Sequence, residues 1–228
     1  MMIDHGHTRR ARRTLTVVAV AALASGCISR PPDSVKVPVP GPAPLHTEVP
    51  ASGIIELALP NGEATVSAAA IDHVEVAVEV RCATSSSRCR ERAARATLVG
   101  IHRDQRMRFA MKDAPGSGAA MTFRIRVPYD RALDVRMKYG DLRIEDHADD
   151  LEVHMTAGAI ELDLPEAAVG RVDLAASVGE AALSTESGHR EGRRPLLVGS
   201  RVEWADGAGA SSVHARVRFG DIQLKLTR

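Results

Sequence analysis

The sequence predicts an all-β fold in which two-strand rungs of roughly twenty residues stack as in a β-solenoid. The first observation behind this prediction is a pattern of apolar residues that recurs around four glycines, Gly140, Gly158, Gly179 and Gly220. The second is that apolar positions alternate on both sides of each glycine, as they do in half-buried strands. The third is an aromatic content of only 3%, which suits aliphatic ladders better than a broad barrel.

Each copy of the pattern is predicted to be a strand, a turn at the glycine and a second strand. Apolar residues stand seven, five and three positions before the glycine and two and four positions after it. Around Gly140 these are Leu133, Val135, Met137, Leu142 and Ile144. The same offsets around Gly62, where Asn61-Gly62 is also a turn signal, predict a fifth copy. An antiparallel β-sandwich is the alternative fold, although it gives no reason for the offsets to recur.

The N-terminus has the organisation of a bacterial export signal. Four arginines between positions 9 and 13 precede an apolar stretch, Leu15 to Ala24, that is too short for a permanent membrane span. The run Leu23-Ala24-Ser25-Gly26-Cys27 resembles a lipobox, in which residues 1–26 are removed and Cys27 carries the lipid. An ordinary signal peptide with a chance cysteine is the alternative. We expect an exported protein anchored to the membrane by lipid on Cys27, at the outer membrane or periplasm if the cell is Gram-negative.

The charge of the mature chain does not suit nucleic-acid binding. Removal of residues 1–26 takes away four arginines and one aspartate, which changes the formal net charge from +1 to −2. A nucleic-acid partner is therefore not expected. We expect the partners to be the membrane, through the lipid, and an envelope protein or glycan.

Two regions follow the lipid site. Residues 27–50 are predicted to be a tether, because seven prolines favour an extended polyproline conformation. The β-repeat domain is placed at residues 51–228, with a helical insertion at about residues 86–99 that starts from serine caps. Before the main repeats, alternating apolar residues predict strands over 74–80, 107–111 and 121–127. The interval between Thr185 and Gly209 is expected to hold one irregular rung and a mobile loop near 187–194.

Cys82 and Cys89 are expected to form a disulfide. They are the two cysteines that remain once Cys27 is assigned to the lipid, and the compartment of an exported protein is oxidising. Metal binding is the alternative, but their spacing is not that of a zinc site and no histidine lies nearby. Because the loop is short, the disulfide is expected to stabilise the fold only modestly.

Two repeat segments resemble a known bacterial family. Val127-Pro128 precedes Lys138-Tyr139-Gly140-Asp141-Leu142-Arg143-Ile144, and the second segment is Arg218-Phe219-Gly220-Asp221-Ile222-Gln223-Leu224. Over roughly Ile54 to Arg228, the chain is similar to the domain family of unknown function labelled putative adhesin. The resemblance implies a β-solenoid-like envelope protein, often tethered as a lipoprotein, and no catalytic residues. Ala159 and Glu180 depart from the family pattern, which has aspartate at these positions.

The repeated Gly-Asp pairs are interpreted as turn structure. Glycine allows positive φ at the corner, and Asp141 or Asp221 can accept hydrogen bonds from nearby amides. A calcium ladder would need aspartate on consecutive rungs, and Ala159 interrupts the row. The histidines at positions 147, 154, 189 and 214 fall at different offsets from the glycines, so they are expected to be surface residues. Neither a metal nor a cofactor is expected.

The sequence favours a non-catalytic binding, adhesin-like or scaffold role. The alternative is a carbohydrate-active enzyme acting on an envelope polysaccharide. Stacked rungs would place the carboxylates of Glu145 and Asp163 side by side, as in a retaining glycosidase. The simpler interpretation is a solvated face in which Arg143 lies near Glu161.

Overall fold

The computed structural model of the chain describes residues 34–37, 45–49, 53–193, 198–205 and 207–228. These ranges contain fourteen β-strands, one α-helix and one 3-10 helix, and the strands belong to one mixed sheet. The all-β prediction is therefore confirmed. The predicted signal peptide and lipid site lie outside the described residues.

The strands are β1 Ser34–Val37, β2 Leu45–Glu48, β3 Ile54–Ala69, β4 His73–Ala83, β5 Thr97–Arg103, β6 Arg106–Lys112, β7 Ala119–Pro128, β8 Leu133–Glu145, β9 Leu151–Pro165, β10 Val169–Val178, β11 Ala181–Thr185, β12 Gly188–Glu191, β13 Ser200–Trp204 and β14 Ser211–Thr227. Helix α1 spans Ser87–Ala93, and the 3-10 helix spans Gly116–Gly118.

The five predicted repeat copies lie side by side in the sheet. They are β3, β8, β9, β14 and the pair formed by β10 and β11. Neighbouring copies are parallel and in register, so that Gly140 pairs with Gly62 and with Gly158, and Gly158 pairs with Gly220. Every predicted inward position of all five copies is buried, and these side chains belong to one core. The offsets in the sequence are therefore the core ladders of the fold.

The repeat glycines bend strands and do not separate them. Strands β3, β8, β9 and β14 run through their glycines without interruption, and Gly158 has a φ of +134°. For these four copies, the prediction of two strands separated by a turn is therefore wrong. Asn61-Gly62 is not a hairpin turn. A positive φ at glycine shifts the inward alternation by one residue. This shift explains why the buried offsets change from odd before the glycine to even after it.

The copies do not stack in chain order. β14 lies between β9 and β10, so the order across this part of the sheet is β3-β8-β9-β14-β10. A solenoid that wound in chain order would place β10 directly on β9, so the solenoid detail is not confirmed. The copies pair in parallel, so the antiparallel β-sandwich does not describe them either.

The interval from 185 to 209 contains two antiparallel strands instead of one irregular rung. β12 folds back on β11, and β13 pairs with the outer edge of β10. The loop expected near 187–194 therefore includes β12. From β13 the chain returns past the start of β10, where Gly209 packs against the backbone of Ala168. This return allows the last copy to enter beside β9.

Part of the predicted tether belongs to the sheet. β1 pairs with residues 80–83 of β4, and β2 pairs with residues 73–76 of the same strand. The folded part therefore extends N-terminal to residue 51, the predicted boundary. Both segments are short proline-free stretches, and pairing them with β4 covers an edge that would otherwise be open.

Helix α1 is shorter than the predicted insertion over 86–99. Its N-cap is Ser86, one of the predicted serine caps, whose Oγ accepts a hydrogen bond from the backbone N of Cys89 at 3.3 Å. It ends at Ala93, and the chain from Thr97 onward pairs with β6 as strand β5. Thr97, Leu98 and Val99 include β-branched side chains that suit a strand better than a helix end.

Cys82 of β4 and Cys89 of α1 are joined by a disulfide with a Cα–Cα distance of 5.8 Å, and both residues are buried. We expect the double variant Cys82→Ser/Cys89→Ser to lose about 2 kcal/mol of unfolding free energy, the entropic contribution of a short closed loop. Urea denaturation with and without reductant measures this. Reductant should lower the stability of the wild type towards that of the variant, whose own stability should not change. Equal stability of wild type and variant without reductant would contradict the expectation.

His147 was expected at the surface, but its side chain is buried in the loop between β8 and β9. Only 1% of the residue is exposed. Its Nε2 lies 3.4 Å from the carbonyl oxygen of Asp150, and Nδ1 has no hydrogen-bond partner in the described part of the chain. Burial lowers the pKa of His147, an effect that Asp150 and Asp149 partly oppose.

Stability is therefore expected to fall in acid. Since the folded-state pKa of His147 is depressed, the unfolded chain takes up this proton first. The loss begins as the pH falls through about 6.5, the ordinary pKa of histidine. His147→Gln, which cannot titrate, should lose less stability than the wild type between pH 7.5 and 5.5 in thermal melts. An equal loss in both proteins would show that His147 is not responsible.

Candidate functional site

A groove with a volume of ≈ 550 Å³ lies on the outward face of β9, β14 and β11, beside the β11–β12 hairpin. We call it the outer groove. Its polar lining includes two cations, Arg143 and Lys225, and four carboxylates, Glu161, Asp163, Glu180 and Glu191. His189 and Gln223 also line it. Its floor consists of the half-strands that follow the repeat glycines, and β12 forms a wall.

The parallel register arranges the polar side chains of the groove in rows. Glu161 pairs with Arg143 on one side and with Gln223 on the other. In the next row, Asp163 lies between Glu145 and Lys225 in the same way. Adjacent members of a row are separated by about 4.8 Å, the spacing of neighbouring strands. The groove floor therefore presents both hydrogen-bond donors and acceptors at regular intervals.

Arg143 is held by two carboxylates. Its Nε donates to Oε1 of Glu145 at 2.6 Å, and its Nη1 lies 3.5 Å from Oε2 of Glu161. The hydrogen bond with Glu145, the charge of Glu145 and the charge of Glu161 raise the pKa of Arg143. These groups are largely exposed, so their ion pairs contribute little to stability. Their main effect is to orient charged side chains along one side of the groove.

The two carboxylates of the catalytic alternative lie at paired positions, as the repeat register predicts. Glu145 is ion-paired with Arg143, and Oδ1 of Asp163 accepts a hydrogen bond from Thr227 at 3.2 Å. The predicted neighbour of Arg143, Glu161, is in place too. This arrangement fits the solvated polar face that the sequence favoured over catalysis.

The two corner aspartates have different surroundings. Oδ1 of Asp221 accepts a hydrogen bond from the backbone N of Glu180 at 2.8 Å, which ties β14 to the corner of the β10–β11 copy. Asp141 is exposed on β8. The bond of Asp221 thus reaches a neighbouring copy and not its own corner, in contrast to the local turn role expected for it.

Neither a metal-binding cluster nor a membrane-spanning helix occurs within the described ranges. No group of three or more His, Cys, Asp or Glu residues there could hold a metal ion. None of the helices in those ranges has the length and apolar character needed to cross a membrane.

Some of the groove residues are predictable from the repeat, and others are not. Gln223 and Lys225 stand three and five residues after Gly220, at the offsets of Arg143 and Glu145 after Gly140. Their alignment was therefore readable from the repeat. His189 was not, because it reaches the groove on β12, and nothing in the repeat indicates that this strand folds back on β11.

No family model matches the chain. No curated protein matches it. Among solved structures, the chain is similar to a putative cell adhesion protein from Clostridium sporogenes, with 13% sequence identity and a TM-score of 0.47. The match covers 82% of this chain and 100% of that chain.

Proposed function

We propose that this protein is a lipid-anchored, non-catalytic binding protein of the cell envelope, with an adhesin-like or scaffold role. The observation that carries the proposal is the outer groove. It is built on regular paired strands, it is polar, and its donors and acceptors recur at the strand spacing. A ligand with many hydroxyl or amide groups along an extended chain matches such a surface. An envelope glycan or an extended segment of an envelope protein has this chemistry.

The groove supports binding because its floor is fixed by the sheet. Gln223 and Lys225 lie on β14, which is paired along its length with β9 and also with β11. Side chains on paired strands are held closer to a binding geometry than side chains on loops, which reduces the ordering cost of binding.

The anchor is proposed to hold the groove near the membrane. β1 starts at Ser34, seven positions after Cys27. A fully extended chain of seven residues spans at most roughly 25 Å. The sheet would then be held closer to the lipid surface than the full reach of a tether over residues 27–50. Its partner would be another component of the same envelope.

The groove is tested with the full-length chain and a panel of envelope glycan fragments. Gln223→Ala/Lys225→Ala should weaken binding about tenfold, since two hydrogen-bonding side chains are lost, one of them charged. Gln105→Ala/Lys112→Ala is the matched control, because it removes the same residue types from exposed positions at the two ends of β6, outside the groove. Unchanged affinity in the groove variant would exclude the groove. Release of glycan fragments by the wild type, lost in Glu145→Ala or Asp163→Ala, would contradict the non-catalytic role.

The anchor is tested separately. Cys27→Ala should abolish labelling by a fatty-acid probe and move the protein from the membrane to the soluble fraction. If labelling and fractionation are unchanged, the protein is not anchored through Cys27.

A further inference from the structure

A second surface lies at the bend of the repeat strands. The residues directly before Gly140, Gly158, Gly179 and Gly220 are Tyr139, Ala157, Val178 and Phe219, which we call the corner ridge. The polar residue Asn61 stands at this position on β3, where it pairs with Tyr139 and ends the row. Ala157 pairs with Tyr139 on one side and with Phe219 on the other, and Phe219 pairs with Val178. Tyr139 is 55% exposed and Phe219 is 44% exposed. The strand order therefore produces a continuous apolar row at the surface.

Aromatic side chains are few in this chain, and a large share of them lies at the surface. The chain contains one Trp, two Tyr and three Phe, and half of these side chains are exposed: Tyr129, Tyr139 and Phe219. Tyr139 and Phe219 are separated by the one small side chain of Ala157, at a distance of about two strand spacings, roughly 9.6 Å. Aromatic residues arranged in this way are characteristic of binding surfaces.

A cation precedes each ring of the ridge. Lys138 comes before Tyr139, Arg218 comes before Phe219, and both cations are exposed. The guanidinium of Arg218 lies 5.3 Å from the centroid of the Phe219 ring. Among the residues that the structure describes, neither cation has an ion-pair partner, whereas the arginines two positions earlier on these strands, Arg136 and Arg216, lie against Asp134 and Asp173. The two cations beside the ridge are therefore available to an anion.

The opposite side of the ridge is acidic. The residues directly after the glycines include four exposed carboxylates: Glu63 on β3, Asp141 on β8, Asp221 on β14 and Glu180 between β10 and β11. They stand in one row because neighbouring copies are in register. The bend thus separates a basic edge from an acidic edge, with the aromatic rings between them.

We propose that the corner ridge binds an acidic polysaccharide, laid across the strands. Sugar rings would stack on Tyr139 and Phe219, and the anionic groups of the polymer would pair with Lys138 and Arg218. The carboxylates of Asp141 and Asp221 would accept hydrogen bonds from the hydroxyl groups on the other edge of the chain. The repeat of cation and ring on alternate strands matches a polymer with a repeating unit. This site is separate from the outer groove and does not require the groove to bind.

The charge pattern favours a narrow polymer over an anionic membrane. A membrane surface is broad, so one that contacted Lys138 and Arg218 would also approach the row of carboxylates across the ridge. The anionic headgroups and the carboxylates would then lie within the Debye length, about 8 Å at physiological ionic strength, and would repel each other. A single polysaccharide chain can instead direct its anions to the basic edge and its hydroxyls to the acidic edge.

The test uses the full-length chain with four probes: polygalacturonate, dextran sulfate, neutral dextran and vesicles containing phosphatidylglycerol. We expect binding to the two acidic polymers, weakened by salt, and none to neutral dextran. Tyr139→Ala/Phe219→Ala should lower the affinity at least tenfold, as the loss of aromatic anchors does at other interfaces. Lys138→Ser/Arg218→Ser should lower the affinity and reduce its dependence on salt. Tyr129→Ala and Lys112→Ser, at exposed positions away from the ridge, are the controls and should bind as the wild type does.

Three results would overturn the proposal. One is no binding to either acidic polymer by the folded wild type. Another is binding to the vesicles alone, which would assign the ridge to the membrane. The third is polymer binding that the ridge variants leave unchanged while Gln223→Ala/Lys225→Ala abolishes it, which would assign the polymer to the outer groove. If Gln223→Ala/Lys225→Ala loses binding to the envelope glycan fragments but still binds the acidic polymers, the groove and the ridge are independent sites.

Discussion

Gly158→Ala is expected to destabilise the fold by more than about 3 kcal/mol, because two penalties act together. Gly158 has a φ of +134°, which an L-residue with a side chain rarely adopts. A Cβ at this position would lie 1.7 Å from the carbonyl oxygen of Gly140 on the neighbouring strand. That oxygen belongs to the backbone, so it cannot move aside without disturbing the sheet. Thermal melts should show a midpoint lowered by roughly 10 °C.

Gly118→Ala is the matched control. A Cβ there would have its nearest neighbour, the Cβ of Cys89, at 4.0 Å, and φ is not positive. This variant should melt within about 2 °C of the wild type, as substitutions free of strain usually do. If both variants melt like the wild type, the close stacking of the repeat glycines is wrong.

Ile160→Ala is expected to lower the unfolding free energy by about 3 kcal/mol. Ile160 is the residue two positions after Gly158 and is 0% exposed, at the centre of the aliphatic ladder. Its truncation removes apolar contacts and leaves a cavity in a closely packed core. Urea denaturation measures the loss as a lower midpoint with an unchanged slope.

Ile101→Ala provides the comparison for the same chemical change. Ile101 is 45% exposed on β5, so its truncation should cost less than about 1 kcal/mol. Equal losses at the two positions would contradict the assignment of the repeat offsets to the core.

The repeat offsets were sufficient to predict which side chains are buried, because burial depends on local alternation. Leu133, Leu151 and Val213 share an offset, and all three are buried in adjacent strands. The same pattern could not distinguish a hairpin turn from a bend in one strand. Both place glycine at a corner, and the difference depends on whether the neighbouring strands continue their pairing through Gly140 and Gly158.

The order of the strands could not be predicted from the pattern, since each copy offers the same edges to every other copy. What decides the order is the return of the chain through β12 and β13, whose sequences carry no repeat signal. The aromatic residues of the corner ridge are easier to recognise in the sequence. Tyr139 and Phe219 stand one position before Gly140 and Gly220, at an offset that the core pattern leaves unexplained.

The strand order is the central claim, since it places Gln223 in the groove beside Glu161 and Phe219 two strands from Tyr139. It is tested most directly by a short bis-thiol crosslinker in a Cys27→Ser background. Glu161→Cys/Gln223→Cys should crosslink efficiently, because the two residues are paired on β9 and β14, about 4.8 Å apart. Glu161→Cys/Ala182→Cys should not, because β14 lies between these positions. Efficient crosslinking of the second pair and not the first would mean that the copies stack in chain order, and neither the groove nor the ridge would exist as described.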